Sequence, residues 1–392
     1  MTLNALIINA GSSSLKFHFY EMPSEKIICA GIAERIGKEG SSLHYHTGDN
    51  KNKEIKLAES IKDHAAALEK IIDVLKDLPE IDLIAHRVVH GGDKFSSAAL
   101  ITKEVENAID KLSELAPLHN PVNLQCVRLM EKHFPDKKQV AVFDTSFHHN
   151  MPETAIRYAI PDRFYSEDKI RAYGFHGISH KYVSGEAAKF LQRPDAKLIS
   201  IHLGNGCSIA AIRAGQSVDT SMGFGPLSGL VMATRSGDID PSVILYLIDQ
   251  KKMKAEEIDT MLNKESGLQA LCGMTDLRDI YKAVQSGDQA AIFACELYAY
   301  RIKKYIGSYI AVLNGLDALI FTGGVGEHSA YIRQLVCSEM DQLGILPDKQ
   351  LNEAEGTDPR EISYKDAACR ILVIPTNEEL EIARQSFAHI QK

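Results

Sequence analysis

The chain has 392 residues, which is too long for one ordinary hydrophobic core, so two domains are predicted. Hydrophobic residues make up 45% and charged residues 24% of the chain, a balance typical of globular proteins, and the formal net charge of −8 argues against general nucleic-acid binding. Seven scattered cysteines without a CxxC pair favour a reducing, cytoplasmic compartment over a disulfide scaffold or a zinc site. We expect neither a signal peptide nor a membrane span, because Asn9 and three serines interrupt the first apolar run.

The first stretch, residues 5–17, reads ALIINAGSSSLKF and predicts two strands joined by a short turn rich in hydroxyl groups. Gly11 allows the backbone to turn tightly and to approach a ligand. Ser12, Ser14 and Lys16 offer hydroxyl, backbone N–H and ammonium groups to a phosphate or its metal ion. An ordinary polar hairpin turn is the alternative, and this stretch alone does not decide between the two. It matches neither the Walker nor the GxGxxG pattern.

The rest of the first half alternates between strand and helix patterns. Further strands are predicted at 27–32, 81–90 and 139–144. Helices are predicted at 64–78, 104–115 and 120–133, and Asn120 is expected to be the N-cap of the third helix because Pro121 follows it.

The second half opens in the same way, with a strand at 197–203, a GNGCS turn and a returning strand at 209–213. Another short strand is expected near Ser217. Later strands are predicted at 317–322 and 368–374, and helices at 241–250, 256–263, 289–313, 329–343 and 377–390. Gly307 is expected to interrupt the long helix, and Asn314-Gly315 to close it. The repeated opening predicts a duplicated α/β unit with two phosphate-binding turns facing one cleft.

Two polar residues stand within or directly after apolar strands of the first half. Arg87, in HRVVHGG, is costly beside apolar neighbours unless it is paired or faces a site, so it is a candidate fork for a carboxylate or phosphate. Asp144, in FDTSFHHNMP, stands at the end of a buried strand, where ligands bind in α/β sheets. A solvent-facing arginine and an aspartate that caps the next turn are the structural alternatives.

Two candidates follow in the second half. His176, in YGFHGISH, has the chemistry to contact a developing negative charge, although a lone histidine is more often structural. HLGNG, residues 202–206, follows an apolar strand and exposes backbone N–H groups around two glycines, which predicts a second phosphate turn. A plain Asn-Gly hairpin is the alternative for this segment.

Three further segments carry candidate residues. Arg235 follows a Gly-rich segment whose composition indicates a loop lining a site. FTGGVGEHS, residues 321–329, is a strand-to-helix turn that suits a nucleotide phosphate, or a base and ribose. In PTNEEL, residues 375–380, Thr376 and Glu379 have the spacing of a capping box, which leaves Glu378 as the candidate metal-side carboxylate.

Taken together, these motifs resemble the acetate kinase family in order and content from Asn9 to Ala383. The segments that carry the resemblance are NAGSSSLKF, HRVVHGG, APLHNP, FDTSFH, YGFHGISH, HLGNG, DTSMGF, TRSGDIDP, TGGVGEHS and IPTNEEL. The resemblance implies an α/β fold with two duplicated ribonuclease-H-like domains of the actin-like ATPase type around a nucleotide cleft. It also implies reversible, Mg²⁺- or Mn²⁺-dependent transfer of the γ-phosphoryl group of ATP to acetate, giving acetyl phosphate and ADP by direct in-line transfer.

The same resemblance assigns roles to individual residues. Asn9 and Glu378 match metal positions, Arg87 the substrate-binding arginine, Asp144 an active-site acid, and His176 and Arg235 two stabilisers of the transition state. The apolar pocket for the acetate methyl matches Val89, Leu118, Phe175 and Pro226. The nucleotide positions match Ser12, Ser14, Lys16, His202, Leu203, Gly204, Asn205, Gly206, Asp276, Leu277, Arg278, Gly324, Val325, Gly326, Glu327 and His328.

The chain departs from the family pattern at four positions, where the family usually has Glu, Thr, Glu and Asn and this sequence has Asp93, Gly225, Ser228 and His328. Gly225 and Ser228 adjoin Pro226 and bear on the acyl preference. His328 bears on the nucleobase preference. Val89 favours acetate over propionate, because a smaller residue there would leave room for another methylene.

The resemblance also sets the expected organisation and partners. We expect an N-terminal acyl-substrate and phosphate domain at 1–150 with a C-terminal helix at 379–392, and a nucleotide-binding domain at 151–378. The expected partners are ATP or ADP, acetate or acetyl phosphate, and a second copy of the chain in a homodimer, without nucleic acid or membrane. The rival hypotheses are a propionate kinase of the same fold, an actin- or Hsp70-like ATPase without an acyl substrate, and a pyrophosphate-dependent variant.

Overall fold

The computed structural model describes residues 2–48, 55–58, 60–117 and 119–391. The chain forms two compact units. Unit 1 comprises Met1–His149 and Asn377–Lys392, and unit 2 comprises Asn150–Thr376. These limits differ from the predicted ones by one residue at the first boundary and by two at the second.

Unit 1 is built on an eight-stranded mixed sheet in the order β5-β4-β3-β2-β1-β6-β8-β7. Its strands are β1 Leu3–Ala10, β2 Ser14–Met22, β3 Lys26–Glu34, β4 Ser42–Thr47, β5 Ile55–Ala58, β6 Leu83–Val88, β7 Ala99–Leu100 and β8 Lys138–Phe143. Strands β1, β2 and β3 pair antiparallel, whereas β1, β6 and β8 run parallel. β1 and β8 are almost wholly buried because helices cover the sheet, which explains their continuous apolar runs.

The helices of unit 1 each bury part of their surface. They are α1 His64–Leu75, α2 Lys103–Lys111, α3 Asn120–His133 and α15 Glu378–Ile390, with 3-10 turns at Leu112–Glu114 and Ser146–His148. Leu68, Ile71 and Ile72 of α1 join Leu6 and Phe17 of the sheet in one buried core cluster. The helical spacing of these residues in the sequence therefore predicted the buried face of α1 correctly.

Unit 2 is built on a six-stranded sheet in the order β11-β10-β9-β12-β14-β13. Its strands are β9 Lys197–Leu203, β10 Cys207–Arg213, β11 Gln216–Thr220, β12 Ala318–Thr322, β13 Arg360–Glu361 and β14 Arg370–Val373. Strands β9, β10 and β11 pair antiparallel, and β9, β12 and β14 run parallel. Five strands thus have the same order and directions in both units, which confirms the predicted duplication of an α/β unit.

The helices of unit 2 are more numerous than the sequence patterns predicted. They are α4 Glu153–Ile156, α5 Arg163–Ser166, α6 Gly177–Leu191, α7 Pro241–Asp249, α8 Ala255–Lys264, α9 Gly267–Cys272, α10 Leu277–Gln285, α11 Gln289–Leu313, α12 Gly323–His328, α13 Ala330–Cys337 and α14 Lys349–Glu353. A 3-10 turn at Asp341–Leu343 is separate from α13, so the single helix predicted at 329–343 was wrong in its extent. Among the helices of the described chain, none is long and apolar enough to cross a membrane.

Two predictions about helix ends and interruptions were wrong. α11 runs through Gly307 without a break. Buried residues on both sides of it, such as Ile306 and Tyr309, hold the helix by packing. The left-handed Asn314 closes it as predicted. Asn120 does not cap α3. Its side chain accepts from the backbone N–H of His90 at 3.0 Å and donates to the His90 carbonyl at 3.1 Å, so it holds a neighbouring loop instead.

Candidate active site

In unit 1, the carboxyl ends of three adjacent parallel strands bring three polar side chains together. Asn9 stands near the end of β1, Arg87 near the end of β6, and Asp144 directly after β8. Arg87 donates from Nη2 to Asp144 Oδ2 at 2.9 Å and from Nη1 to Asn9 Oδ1 at 3.3 Å. Asp144 is 1% exposed, so this is an almost dry ion pair at the edge where α/β sheets bind ligands.

Helix α15 adds two carboxylates to this cluster. Asn9 donates from Nδ2 to Glu379 Oε1 at 2.9 Å and lies 3.4 Å from Glu378 Oε2. The predicted capping box is wrong, because the side chain of Asn377 caps α15 by accepting from the Leu380 N–H at 3.0 Å. Since Asn377 satisfies the helix end, the carboxylate of Glu379 is turned into the cluster. The sequence pattern therefore underestimated Glu379.

The charges of this cluster perturb one another. Burial alone would lower the pKa of Arg87, but Asp144, Glu378 and Glu379 outweigh it and raise that pKa. The pKa of Glu378 is raised, first by burial and then by the neighbouring Asp144 and Glu379, despite the opposing effect of Arg87. Burial also acts to raise the pKa of Glu379, but Lys16, His18 and the Asn9 hydrogen bond lower it. Three carboxylates crowded around one arginine would be stabilised by a further cation.

The first predicted phosphate turn joins β1 to β2 in unit 1, as expected. The Gly11 N–H donates to the Ser14 carbonyl at 2.9 Å and closes the turn. Ser12 is exposed and Ser14 is half-buried. Lys16 is exposed, and its Nζ lies 3.9 Å from Glu379 Oε1. The His64 ring donates from Nε2 to the Gly11 carbonyl at 2.8 Å, a support that no local sequence pattern indicated.

Of the residues predicted for the acyl pocket, Val89 and Leu118 belong to unit 1. Val89 follows β6 and is 6% exposed, and Leu118 lies outside the described residues. Asn123 of α3 accepts from the Val89 N–H at 3.2 Å and donates to the Ala10 carbonyl at 3.1 Å. A single amide therefore fixes the chain after β6 relative to the first phosphate turn.

In unit 2, His176 and Arg235 converge on the second glycine turn. His176 occupies the N-cap position of α6 with a left-handed φ of 55°, an uncommon conformation for a residue with a Cβ. A Cβ on Gly206 would lie 3.4 Å from His176 Nε2 and 3.7 Å from Arg235 Nη1. Glycine at this position therefore leaves room for both groups beside the Gly204–Gly206 backbone.

Arg235 is a half-buried cation. Its Nη1 donates to the Pro226 carbonyl at 3.1 Å and contacts Met232 Sδ at 3.8 Å. Among the described residues, no carboxylate lies within ion-pair distance of it. Burial lowers its pKa, and Cys207 opposes that effect. A desolvated guanidinium beside a turn of backbone N–H groups is a site that an anion would stabilise. Phe175, which precedes His176, is buried and apolar.

A cavity of about 1040 Å³ lies within unit 2 next to the second glycine turn. The residues that line it include half of the sixteen predicted nucleotide positions, namely Gly204, Asn205, Asp276, Leu277, Arg278, Gly324, Val325 and His328. Tyr281 and Tyr331 also line it, with ring centroids 4.9 Å apart, and no sequence motif had indicated them. The volume and the mixed aromatic and polar lining suit a nucleotide.

Other predicted nucleotide positions serve the shape of the site. Leu203 is fully buried in the core, and Gly326 is buried in α12. Glu327 Oε1 accepts from the backbone N–H groups of Gly323 at 2.9 Å and Thr376 at 3.1 Å. Arg333, which is 1% exposed, donates to the carbonyls of Gly326 and Glu327 at 2.9 Å each. These bonds hold the strand-to-helix turn.

His202 also belongs to this part of unit 2, but as a neighbour of His176. The two rings stack with centroids 4.4 Å apart and planes 28° from parallel. His202 Nδ1 is hydrogen-bonded to Ser179 Oγ at 2.8 Å. The stacking restricts the plane in which the His176 ring lies.

The solved structures that this fold matches place the chain in the class of short-chain carboxylate kinases. The structure of a propionate kinase from Francisella tularensis matches with a TM-score of 0.92 and 42% identity, over 98% of this chain and 99% of that chain. The structure of Porphyromonas gingivalis acetate kinase matches with a TM-score of 0.91 and 40% identity, over 99% of this chain and 100% of that chain.

The sequence comparisons name the family within that class. The chain is 47% identical to the acetate kinase of Pseudothermotoga lettingae over 98% of this chain and 96% of that protein. A family model described as the Acetokinase family matches residues 4–384. The chain therefore belongs to the acetokinase family.

Proposed function

We propose that this chain catalyses the reversible transfer of the γ-phosphoryl group of ATP to acetate by direct in-line displacement. The observation that carries the proposal is Arg235, a desolvated guanidinium without a carboxylate partner among the described residues, which converges with His176 on Gly206. A partly desolvated arginine without a counter-ion would be stabilised by an anion that joins it. A transferring phosphoryl group is such an anion, and its charge is what a kinase has to stabilise.

The donor nucleotide is assigned to the cavity of unit 2. Gly204 and Asn205 of the second glycine turn line this cavity together with Gly324 of α12, and none of the three has a bulky side chain that would cover its backbone. Tyr281 and Tyr331 offer ring faces at another. Backbone N–H groups suit phosphates, and ring faces suit a nucleobase of any identity. We therefore propose modest selection among nucleobases.

The acceptor carboxylate is assigned to Arg87 in unit 1. A guanidinium at the end of a buried strand binds a carboxylate through a planar pair of N–H groups. The buried Val89 lies two residues further on and supports an apolar contact for the acetate methyl. Acetate is ionised at pH 7, so it needs no general base to become a nucleophile. We therefore propose that Asp144 orients Arg87 and is not an obligatory base.

The divalent ion expected of this family is assigned to Asn9 and Glu378, as Mg²⁺ or Mn²⁺. Their side chains are adjacent, and the charge crowding that raises the pKa of Glu378 would be relieved by a cation. In the described part of the chain, no three His, Cys, Asp or Glu side chains form a metal cage. Mg²⁺ commonly uses one or two carboxylates together with substrate phosphates and water. When bound, such an ion would neutralise charge on the phosphate oxygens.

The proposed step forms a bond between an acetate oxygen and the γ-phosphorus while the bond from that phosphorus to the β,γ-bridging oxygen breaks. Arg235 and His176 donate to the equatorial oxygens of the transferring group, where charge develops. Arg87 holds the acceptor and reduces the repulsion between two anions. Because Arg235 and His176 act on the charge that develops on the transferring group, losing either one lowers turnover more than substrate binding.

Acetyl phosphate formation tests this function. The purified chain is incubated with ATP, acetate and Mg²⁺ in hydroxylamine, and acetohydroxamate is measured. We expect acetohydroxamate that depends on both ATP and acetate. Pyrophosphate in place of ATP should give none, which distinguishes the pyrophosphate-dependent hypothesis. Absence of product with every phosphoryl donor would reject the kinase assignment.

Acyl preference is tested by comparing kcat/KM for acetate, propionate and butyrate. We propose acetate as the preferred acceptor, with propionate slower by the roughly 10- to 200-fold that one methylene is worth. Val89→Ala should raise the propionate-to-acetate ratio because it enlarges the pocket, whereas Val183→Ala, in the core of unit 2, should not. A wild-type preference for propionate would favour the rival hypothesis of a propionate kinase.

The proposal extends to the state and location of the protein. We propose a homodimer in the cytoplasm, as the family resemblance suggests. Sedimentation velocity over a range of concentrations measures the oligomeric state, and a dominant monomer would reject the homodimer. Fractionation of the source cells measures the location.

A further inference from the structure

A continuous chain of hydrogen bonds leads from the interior of unit 2 to His176. Ser200 Oγ is 2.9 Å from His180 Nδ1, His180 Nε2 is 2.7 Å from Ser208 Oγ, and Ser208 Oγ is 2.9 Å from His176 Nδ1. His180 lies in the first turn of α6, Ser200 on β9 and Ser208 on β10. Three elements therefore meet in one row of alternating hydroxyl and imidazole groups.

The inner part of this row is dry. His180, Ser200 and Ser208 are each fully buried, whereas His176 is half-buried at its outer end. In a buried row each polar atom requires a partner, so the protons have to be arranged consistently along it. The arrangement at one end therefore constrains the arrangement at the other.

If both rings are neutral and the Ser208 hydroxyl donates to one of them, proton counting leaves two arrangements for the row. The Ser208 hydroxyl has one proton and contacts two ring nitrogens, so it donates to at most one of them. In the first arrangement it donates to His180 Nε2, and His176 carries its proton on Nδ1. In the second it donates to His176 Nδ1, and His180 donates to it from Nε2.

The two arrangements differ in what His176 presents beyond the row. In the first, a neutral His176 has an unprotonated Nε2, which would repel a phosphoryl oxygen. In the second, Nε2 carries the proton and is a hydrogen-bond donor. This is the nitrogen that lies 3.4 Å from the position of a Cβ on Gly206, on the side where Arg235 also lies. Only the second arrangement gives a neutral His176 the donor that the proposed reaction requires.

We infer that His180 and Ser208 are positioning residues that fix His176 with its proton on Nε2 and its ring directed at the glycine turn. The inference rests on the proposed function for the role of His176 in phosphoryl transfer. The tautomer itself is a property of the unliganded protein. His180 acts through Ser208 and touches no substrate, as an orienting partner does behind a metal-bound histidine.

The tautomer is measured directly by nitrogen-15 NMR of the histidine rings. Protein labelled on the imidazole nitrogens is compared with His176→Gln, which assigns the His176 signals. We expect Nε2 of His176 with the shift of a protonated nitrogen and Nδ1 with that of a hydrogen-bond acceptor. In Ser208→Ala we expect both shifts to move towards a mixture of tautomers. A proton on Nδ1 in the wild type would overturn the inference whether or not the chain forms acetyl phosphate.

Kinetics test the consequence. Ser208→Ala should lower kcat about 10- to 100-fold, the usual effect of removing a partner that orients a functional histidine, with KM for ATP and acetate changed less than about threefold. Ser184→Ala removes another buried hydroxyl, on α6 itself, and is the control that should leave kcat as in the wild type. His180→Gln, which keeps an amide donor, should retain more activity than His180→Leu. An unchanged kcat in Ser208→Ala would overturn the inference.

A double-mutant cycle separates positioning from general stability. If His180 and Ser208 act only through His176, then adding Ser208→Ala to His176→Gln should lower kcat less than about twofold further. Losses that multiply in the double variant would overturn the inference, because they would show that Ser208 acts independently of His176. Because the comparison is made within the His176→Gln background, a structural defect caused by Ser208→Ala appears there as well.

Discussion

At the scale of single residues, the buried charges carry most of the chemistry. Arg235 has a carbonyl and a thioether as neighbours where a carboxylate would be the usual partner. Arg235→Ala should therefore raise the activation barrier by about 3–5 kcal/mol and lower kcat accordingly. The effect on KM should be smaller, because the interaction forms fully only with the transferring group. Steady-state kinetics with ATP and acetate measure it.

Arg163→Ala removes an exposed arginine of unit 2 and is the matched control, expected to keep wild-type turnover. Arg235→Lys tests the fork geometry, because lysine retains the charge and loses the planar pair of donors. Near-normal turnover in Arg235→Ala would remove the basis of the proposed mechanism.

Glu378 is predicted to govern the metal requirement. Removal of divalent ions with a chelator should abolish turnover, and Glu378→Gln should raise the Mg²⁺ concentration needed for half-maximal rate by about 10- to 100-fold. Glu381→Gln, which changes a buried glutamate in the same turn of α15, is the control. An unchanged Mg²⁺ dependence in Glu378→Gln, or the same shift in Glu381→Gln, would contradict the assignment of the metal side.

The site residues that the sequence identified are those whose local context was itself unusual. An arginine in an apolar strand, as at Arg87, or an aspartate that ends one, as at Asp144, is visible without the fold. Asn123 and Ser208 were not identified, because an asparagine in a helix and a serine in a strand are ordinary. Their partners are distant in sequence, and only folding brings them together. Glu379 was assigned to a cap because a local pattern offered a sufficient explanation.

At the scale of elements, the turn between β12 and α12 depends on one of its glycines. Gly323 has a φ of 76°, and a Cβ there would lie 2.6 Å from the Leu203 carbonyl oxygen. Gly324 has no atom within 4 Å of such a Cβ. Gly323→Ala should therefore lower the free energy of unfolding by at least about 2 kcal/mol, whereas Gly324→Ala should change it by less than about 0.5 kcal/mol.

Denaturant unfolding of the two variants measures this difference, followed by a signal from unit 2 where its transition is separate. Equal stability of Gly323→Ala and Gly324→Ala would contradict the described geometry of the turn. The pair is informative because the two changes are chemically identical and adjacent.

The regular elements were predictable where burial imposed a period. The helical spacing in α1 and the apolar strands β6, β8, β9 and β12 were read correctly. Helix ends were predicted less well. Asn314 closes α11 as predicted, but Asn120 binds the distant His90 loop, and Asn377 caps α15 in place of Thr376. Short helices such as α9 and α12, with six residues each, have too few turns for a clear apolar period, so tertiary packing decides them.

At the scale of the whole molecule, two buried histidines should make stability depend on pH. Burial lowers the pKa of His86 from 6.5 to about 4 and that of His90 to about 4. The unfolded chain therefore binds more protons than the folded chain between pH 6.5 and 4. The stabilisation is complete above pH 6.5 and is lost as the pH falls towards 4, by about 2 kcal/mol per histidine at pH 5.

Denaturant unfolding at pH 7.5 and pH 5 measures this loss, and His86→Leu should reduce the difference between the two pH values. His133→Gln, which removes a surface histidine, should keep the wild-type difference. A His86→Leu variant with an unchanged pH dependence would show that the loss of stability has another origin.

The whole molecule is a duplicated α/β protein of the acetokinase family, and its activity is phosphoryl transfer to acetate. The duplication was predictable because each unit repeats a strand, a small-residue turn and a returning strand. The cavity of unit 2 was predictable only in part. Its glycine turns were evident in the sequence, but Tyr281 and Tyr331 lie on helices whose positions depend on packing.

The central claim is that residues such as Arg235 stabilise a phosphoryl group on its way to acetate and not to water. The most direct measurement is the amount of ADP and of acetyl phosphate formed from ATP, with and without acetate, by the same protein sample. We predict one acetyl phosphate for each ADP when acetate is present and almost no ADP when it is absent. ADP formed at the same rate without acetate, or without matching acetyl phosphate, would contradict the claim and indicate an ATPase.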